Sequence, residues 1–450
     1  MEINDVVYRS KQERVELVQF LYVDNGGSTR GKVTHTDHLK GRMIGGIGLT
    51  PAMMAMNMLD QLQPIPEMSA VGEVRLIPDP ESYRVLPYSP KVAVMMCDQI
   101  NLNHQPWEAC PRSFLKSVIK QAEEMDIQIM ATYENEFTLA RLNEEGKYIP
   151  IDNSLCFSSI GMASGTPVIL DIMSALKAQG IQPEQYYPEL GHGQHELSIS
   201  PTDLLTAADN QVRYRETVRA IAKQHGMVAS FAPKPFADQA GNGGHIHFSL
   251  WDKETDKNLF WDPDDQNHLS EIGYQFAAGL LNHLPGLVAL TCASVNSYRR
   301  LQPGSWSSAY TAFGKDNREA AIRIASTFWG NEEKSMNMEL KASDSSANPY
   351  LALGAIIAAG LDGIRNKWMP GDCVEVDPAT LSVEERAKRG IKRLPASLLE
   401  AVNAMEADPF FSNLLGDLLY SSFKKVKLSE HAAFAEKDVE FELKHHFHKF

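Results

Sequence analysis

The segment Tyr133-Glu134-Asn135-Glu136-Phe137 constrains this chain more than any other. In a β-strand, residues two apart share a face, so Glu134 and Glu136 project into one cavity, while Tyr133, Phe137 and Leu139 make the strand a buried one. Unpaired buried carboxylates are expensive, and several acids aimed at one site need cations to compensate them. A lone Glu-x-Glu would read as the solvated face of a strand. Other segments argue against that reading here.

Three more stretches carry the same chemistry. Glu189-Leu-Gly-His-Gly-Gln-His-Glu196 supplies two acids, Gly241-Asn-Gly-Gly-His-Ile-His-Phe-Ser-Leu250 sets two histidines beside a Gly-rich turn, and Glu339-Leu-Lys-Ala-Ser-Asp344 adds a further acid. Hard oxygen ligands favour Mg²⁺ or Mn²⁺, with His245 as a tolerated nitrogen ligand. The pattern predicts a divalent-metal site built for phosphates.

These motifs resemble the glutamine synthetase family through nearly the whole chain. Asn296-Ser-Tyr-Arg-Arg-Leu-Gln-Pro-Gly304, Asn317-Arg-Glu-Ala-Ala-Ile-Arg323 and Ser346-Ala-Asn-Pro-Tyr-Leu351 follow that family's pattern in the expected order. The resemblance implies that Glu136, Glu189 and Glu196 hold one metal, and that Glu134, His245 and Glu339 hold a second. It assigns His247, Arg318 and Arg323 to the nucleotide phosphates and the transferred phosphoryl group, and Arg300 to the glutamate carboxylate. Gly241 and Gly243 would let the backbone approach that glutamate closely. Two or three Mg²⁺ (or Mn²⁺) and ATP as co-substrate are expected. The chemistry implied is ATP-dependent amide formation through a γ-glutamyl phosphate, which needs positioning and charge stabilisation but no protein nucleophile.

The departures from the family pattern bear on the substrate. Ammonia-using members carry a flap of roughly Pro-Gly-Tyr-Glu-Ala-Pro, whose glutamate takes a proton from ammonium. This chain reads Pro303-Gly-Ser-Trp-Ser-Ser308, with Trp306 in place of that acid. An Asp-Gly-Ser-Ser element that helps bind ammonium is replaced by Met43-Ile-Gly-Gly-Ile-Gly48. A pocket without those two acids has little reason to select ammonium, and a Trp offers an apolar face to a carbon-bearing amine. An aryl amine, largely neutral near pH 7, is favoured over an alkyl one because it needs no acid-assisted deprotonation. Ordinary packing under a loop is the plainer reading of Trp306. Lys341 stands where relatives carry a glutamate- or phosphate-binding arginine, keeping the charge but losing the bidentate fork, and Asn337 replaces another arginine.

A chain of 450 residues with 43% hydrophobic content can bury substantial cores in two or more domains. A formal net charge of -14 argues against nucleic-acid binding. Five scattered cysteines without metal spacing read as reduced thiols, and with no secretory signal or run of about twenty apolar residues the expected location is cytoplasmic, without a membrane span. Short apolar runs, Val18–Val23, Val74–Ile77 and Val92–Met96, suggest a small sheet domain before residue 110. Helices are expected over Arg112–Met125, Pro201–His225 and Ala347–Arg365, with a helical tail Leu428–Phe450. Met54 and Met58 fall at helical spacing near the region expected to complete the amine pocket, and read as core or interface packing.

Periodicity alone supports an α+β protein of two domains. The resemblance makes residues 1–110 a β-grasp domain and residues 111–450 a catalytic domain with a curved antiparallel sheet flanked by helices. It also implies a homo-oligomer, a dodecamer of two hexameric rings with active sites between subunits. Three functions stay open: a ligase joining L-glutamate to a substituted organic amine, a glutamine synthetase using ammonia, and a non-catalytic structural or regulatory relative, which intact metal ligands disfavour.

Overall fold

The computed structural model covers residues 1–450, and its strands form two sheets. Helix α1 (Ile3–Gln12) opens the chain and packs on α2 (Leu39–Gly45). Around them lie β1 (Leu17–Val23), β2 (Thr29–His35), β3 (Ile47–Leu49), β4 (Val74–Pro78), β5 (Arg84–Leu86) and β6 (Ser89–Asn101). The order is β2-β1-β6-β4-β3, with β5 also on β6; β1 runs parallel to β6 and the other pairs are antiparallel. Alternation along β1 buries Val18, Phe20 and Tyr22. The expected apolar strands are present as β1, β4 and β6. Met54 and Met58 are both buried, but Pro51–Ala55 is a 3₁₀ turn and Met56 is extended, so their spacing is not that of an α-helix.

The second sheet is built around β7 (Ile127–Leu142), which carries β8 (Tyr148–Pro150), β11 (Thr202–Asp203) and β12 (Val228–Ser230) as short partners. Its main path runs from β14 (Phe313–Lys315) through β15 (Ile322–Ile324), β16 (Met338–Leu340), β13 (Gly244–Asp252), β7 and β10 (Gln194–Ile199) to β9 (Pro183–Pro188). All these pairs are antiparallel except β14 with β15.

Helices α3 (Pro111–Glu123), α4 (Ser159–Ala178), α5 (Leu204–Gln224), α6 (Glu271–Thr291) and α9 (Pro349–Asn366) pack on one side of this sheet, and the short α7 (Ser297–Arg300) and α8 (Glu332–Ser335) lie in the connections before β14 and before β16. Pro111 occupies the first turn of α3, where its missing N–H costs nothing. Helices Asp417–Ala435 and Val439–Lys449 end the chain, so the helical tail is broken in two. By length and composition α4 could cross a membrane, although its small residues never make a continuous apolar run. Val168, Ile169, Ile172 and Leu176 on α4 join a buried cluster with Val218 and Ile221 of α5.

A buried cation ties the two sheets together. Arg112 on α3 reaches Asp79 at 2.7 Å and Asp98 at 3.0 Å beside the first sheet, and Asp209 on α5 at 3.0 Å. Tyr350 on α9 donates to the same Asp209 at 2.8 Å. Burial strips water from the guanidinium, and three carboxylates restore what it loses.

Candidate active site

The strand β7 separates two chemistries by its pleat. Its odd positions Ile127, Ile129, Ala131 and Tyr133 enter the main core under the helices, while Glu134 and Glu136 face the other way. Asn135, between the acids, lies on the helix side, where its amide exchanges hydrogen bonds of 2.8 and 2.7 Å with Gln211 of α5. That buried amide pair fixes the strand at the level of the acids.

Register brings the remaining groups alongside. Glu134 is paired with His245, Glu136 with Glu196, and Glu339 with both His247 and Arg323. His245 Nδ1 lies 3.3 Å from Glu134 Oε2 and 3.2 Å from Glu339 Oε1; its Nε2 is 3.8 Å from Glu136 Oε1. Arg300, which can only donate, is 3.1 Å from the same Nε2, so the ring turns its Nδ1 proton towards the two glutamates. Arg323 bonds Glu339 directly, and Lys341 Nζ is 3.4 Å from Glu339 Oε1.

His247 shows that the cluster fits a cation. Asn337 donates to Ser335 at 2.9 Å, so its Oδ1 accepts from His247 Nδ1 at 2.8 Å. The other ring nitrogen, Nε2, is then buried without a hydrogen-bond partner, 3.6 Å from Glu134 and 3.8 Å from Glu339. Glu134, His247 and Glu339 offer ligand atoms within 4.8 Å of one another. A divalent cation among them would satisfy the orphaned nitrogen and the carboxylates together, so in this conformation His247 offers the open nitrogen, whereas His245, the ligand the resemblance implied, has a proton on Nδ1 and Arg300 on Nε2.

Electrostatics divide the acids. Burial alone would raise Glu339, but Lys341, His245, His247 and Arg323 hold it well below the usual carboxylate range. Glu134 is likewise held down, against its burial, by His245 and His247. Burial lowers His245, with Lys341 adding to the effect, whereas the pull of Glu134 and Glu339 outweighs burial at His247 and raises it. At the other end of the row, burial and the charge of Glu136 push Glu189 up to about 7, and burial with Glu134 and Glu136 raises Glu196. This end has acids in excess of cations. Tyr187 of β9, the register partner of Glu196, donates its hydroxyl to that carboxylate.

The glycines are required by space. A Cβ on Gly241 would stand 2.2 Å from the Pro233 carbonyl oxygen, and one on Gly243 would lie 2.6 Å from His245 Nε2 and 2.7 Å from Arg300 Nη2. The Gly243 N–H and Gln194 Nε2 donate to Glu136 at 2.9 and 2.8 Å, fixing that carboxylate.

The structure therefore gathers Glu134, Glu136, Glu196, His245, His247, Glu339, Arg300, Arg323 and Lys341, with Glu189 at the margin, 3.9 Å from the Cys156 sulfur. It leaves two expected residues outside the cluster: the Arg318 side chain is exposed in a turn, and Trp306 is 57% exposed on the flap. Tyr187, Gln194, Asn135 and Glu319 escaped sequence reasoning. A polar Asn on the inward face of an apolar strand, and a Gln inside the Glu189–Glu196 motif, were signals that could have found two of them.

A two-domain α+β chain whose larger sheet presents carboxylates, imidazoles and arginines from one face has the site of a metal-dependent, phosphate-handling enzyme. The chain belongs to the glutamine synthetase family. The family's N-terminal domain matches residues 1–107 and its catalytic domain residues 108–446. The chain is 34% identical over 416 residues to gamma-glutamylpolyamine synthetase GlnA3 of Streptomyces coelicolor, covering 92% of this chain and 89% of that protein. It is 36% identical over 385 residues to the glutamine synthetase of Halobacterium salinarum, covering 84% of each. A crystal structure of a glutamine synthase homologue superposes with a TM-score of 0.86 at 31% identity, covering 97% of this chain and 99% of that one. GmaS in complex with ADP gives 0.85 at 31% identity, covering 98% of both. This is a ligase of the glutamine synthetase family, whose members use ATP and divalent metals.

Proposed function

We propose that this enzyme joins the γ-carboxylate of L-glutamate to a substituted amine, hydrophobic or aromatic, giving a γ-glutamylamide. The carrying observation is the flap: where ammonia-using relatives carry an acid, Trp306 presents an exposed ring. Similarity to a gamma-glutamylpolyamine synthetase supports the amide branch.

Glu136, Glu189 and Glu196 would hold one Mg²⁺, and Glu134, His245 and Glu339 the second, with His247 beside it at the phosphates. Bound divalent cations neutralise charge on the phosphoryl oxygens. Glutamate's γ-carboxylate attacks the γ-phosphate of ATP, releasing ADP; the amine then attacks the acyl carbon, the C–O bond to phosphate breaks, and the surplus N–H proton leaves with the departing phosphate or to water. Arg300, freed from His245, would hold the glutamate carboxylate against the backbone at Gly241 and Gly243. Arg323 and Lys341, within reach of Glu339, supply fixed positive charge where the phosphoryl group moves, and exposed Arg318 would close on the nucleotide. A dodecamer of two hexameric rings is the assembly expected.

The second reading is ammonia as substrate, favoured by similarity to the Halobacterium salinarum glutamine synthetase. Amine-dependent ADP release with glutamate and Mg²⁺, measured over ammonia, alkylamines, ethanolamine, polyamines and anilines, separates the two. Equal or better use of ammonia than of every organic amine would overturn the proposal.

A further inference from the structure

The flap carries its ring in an awkward backbone. Trp306 and Ser308 both adopt positive φ, at 52° and 65°, where side chains other than those of glycine and asparagine are disfavoured. Something must hold that conformation. The Trp306 N–H donates to Glu319 Oε1 at 2.8 Å, and Ser308 Oγ donates to the carbonyl of Arg318 at 3.3 Å. The turn that supplies both acceptors is itself pinned: Asn317 Oδ1 accepts from Glu319 N at 3.0 Å, while Asn317 Nδ2 donates to the carbonyls of Val374 and Val376 at 2.7 and 3.0 Å. Glu319 is almost buried, 9% exposed, whereas the ring it positions is largely free.

We infer that Glu319 is a positioning residue for amine recognition, holding the Trp306 backbone through a side-chain oxygen. This rests on the reading that the flap faces the amine. The acceptor oxygen, rather than the full charge, is what the geometry uses, so an amide in its place should keep the flap in position.

The test compares Glu319→Ala, Glu319→Gln and Trp306→Ala, using whichever of ammonia, butylamine, spermidine and aniline the wild-type enzyme turns over fastest. Glu319→Ala should raise KM for that amine about tenfold, the loss of one hydrogen bond to a charged acceptor, with KM for ATP and glutamate within about threefold of wild type. Glu319→Gln should restore the amine KM to near the wild-type value. Chymotryptic cleavage after Trp306, located by mass spectrometry, should speed up in Glu319→Ala and not in Glu319→Gln. The inference is overturned if Glu319→Gln is as damaging as Glu319→Ala, or if all three KM values move together. If Trp306→Ala shifts the amine KM and Glu319→Ala does not, only the role of Glu319 fails. If neither shifts it, the reading of the flap fails as well.

Discussion

His245 and Glu134 are register partners across β13 and β7, and His245 Nδ1 stands 3.3 Å from Glu134 Oε2 although 111 positions separate the two residues. His247, two residues on and on the same face, reaches the same oxygen at 3.6 Å. Both rings therefore bear on the cation site. If His245 gives up its Nδ1 proton to ligate between Glu134 and Glu339, as proposed, titration of each variant with Mn²⁺ should show His245→Ala losing more affinity than His247→Ala; the reverse order would assign the ligand to His247, whose Nε2 is open in this structure. Equal losses would contradict the division into ligand and phosphate contact.

The acids of the other end should be indispensable to glutamate activation. Glu136 is fixed by the Gly243 N–H and Gln194, and Glu196 by Tyr187, so each carboxylate is held in place for its task. Glu136→Ala or Glu196→Ala should abolish glutamate-dependent ADP release while leaving the circular dichroism spectrum unchanged, since each deletion relieves crowding among like charges. Wild-type ADP release from either purified variant would sink the assignment.

The fold and most of this cluster were legible in the sequence, for identifiable reasons. Alternating acids in β7, the apolar runs of β1, β4 and β6 and the periodic faces of α3, α5 and α9 are local signals that packing reinforces. The pairing of Glu134 with His245 or of Glu136 with Glu196 is not local, and it depends on register between distant strands that only the family resemblance suggested. Helix α1 carries a local signal that went unread, a capping box of Glu2 with Asp5 ahead of an amphipathic run, whereas the 3₁₀ turn at Met54 and the grip of Glu319 on Trp306 carry no pattern of their own. Arg318 matched its motif yet is exposed in the isolated chain, because a motif fixes residue type and order, not a side chain's position before substrate binds.

Metal binding should cancel a pH trend. Burial and Glu136 raise the Glu189 carboxyl to about 7, and Glu196 is raised as well. Across the interval from the usual carboxylate range up to about 7, the metal-free folded chain binds more protons at these groups than the unfolded chain, so they cost stability as pH rises. His195 and His446, lowered to about 4 by burial, act in the opposite sense below the ordinary histidine range. The readout is therefore the difference between wild type and Glu189→Gln. In EDTA, wild-type Tm relative to Glu189→Gln should fall as pH rises from about 4.5 to about 7, and Mg²⁺ should cancel the fall, because its ligands must be deprotonated. A difference that rises with pH in EDTA would refute the assignment of proton binding to Glu189.

The Arg112 hub predicts a stability effect away from the site. Arg112→Ala leaves Asp79 and Asp209 without their cation, while Asp98 keeps Lys116 at 2.5 Å, and should destabilise the chain by about 3–5 kcal/mol, the usual cost of breaking a buried ion pair from one side. Urea denaturation measures this directly. A loss below about 1 kcal/mol, typical of an exposed pair, would show that solvent already screens the hub.

Selectivity tests the proposed function at one residue. If the exposed Trp306 ring meets a carbon-bearing amine, the wild-type enzyme should prefer a hydrophobic or aromatic amine over ammonia by a large ratio of kcat/KM. Trp306→Glu removes the apolar face and should cost the preferred amine roughly 1–3 kcal/mol of transition-state binding, read from kcat/KM. Ammonia use should improve only modestly, because the residues Met43-Ile-Gly-Gly-Ile-Gly48 still lack the second ammonium-binding acid. An acid at position 306 would also add a like charge beside Glu319, whose carboxylate already holds that residue's N–H, and would weaken that hold. Trp306→Phe is the control, keeping an apolar ring without adding charge, and should retain most of the preference. If Trp306→Glu and Trp306→Phe leave the ratio of organic amine to ammonia unchanged, the ring does not read the amine, and selectivity must be set elsewhere in the pocket.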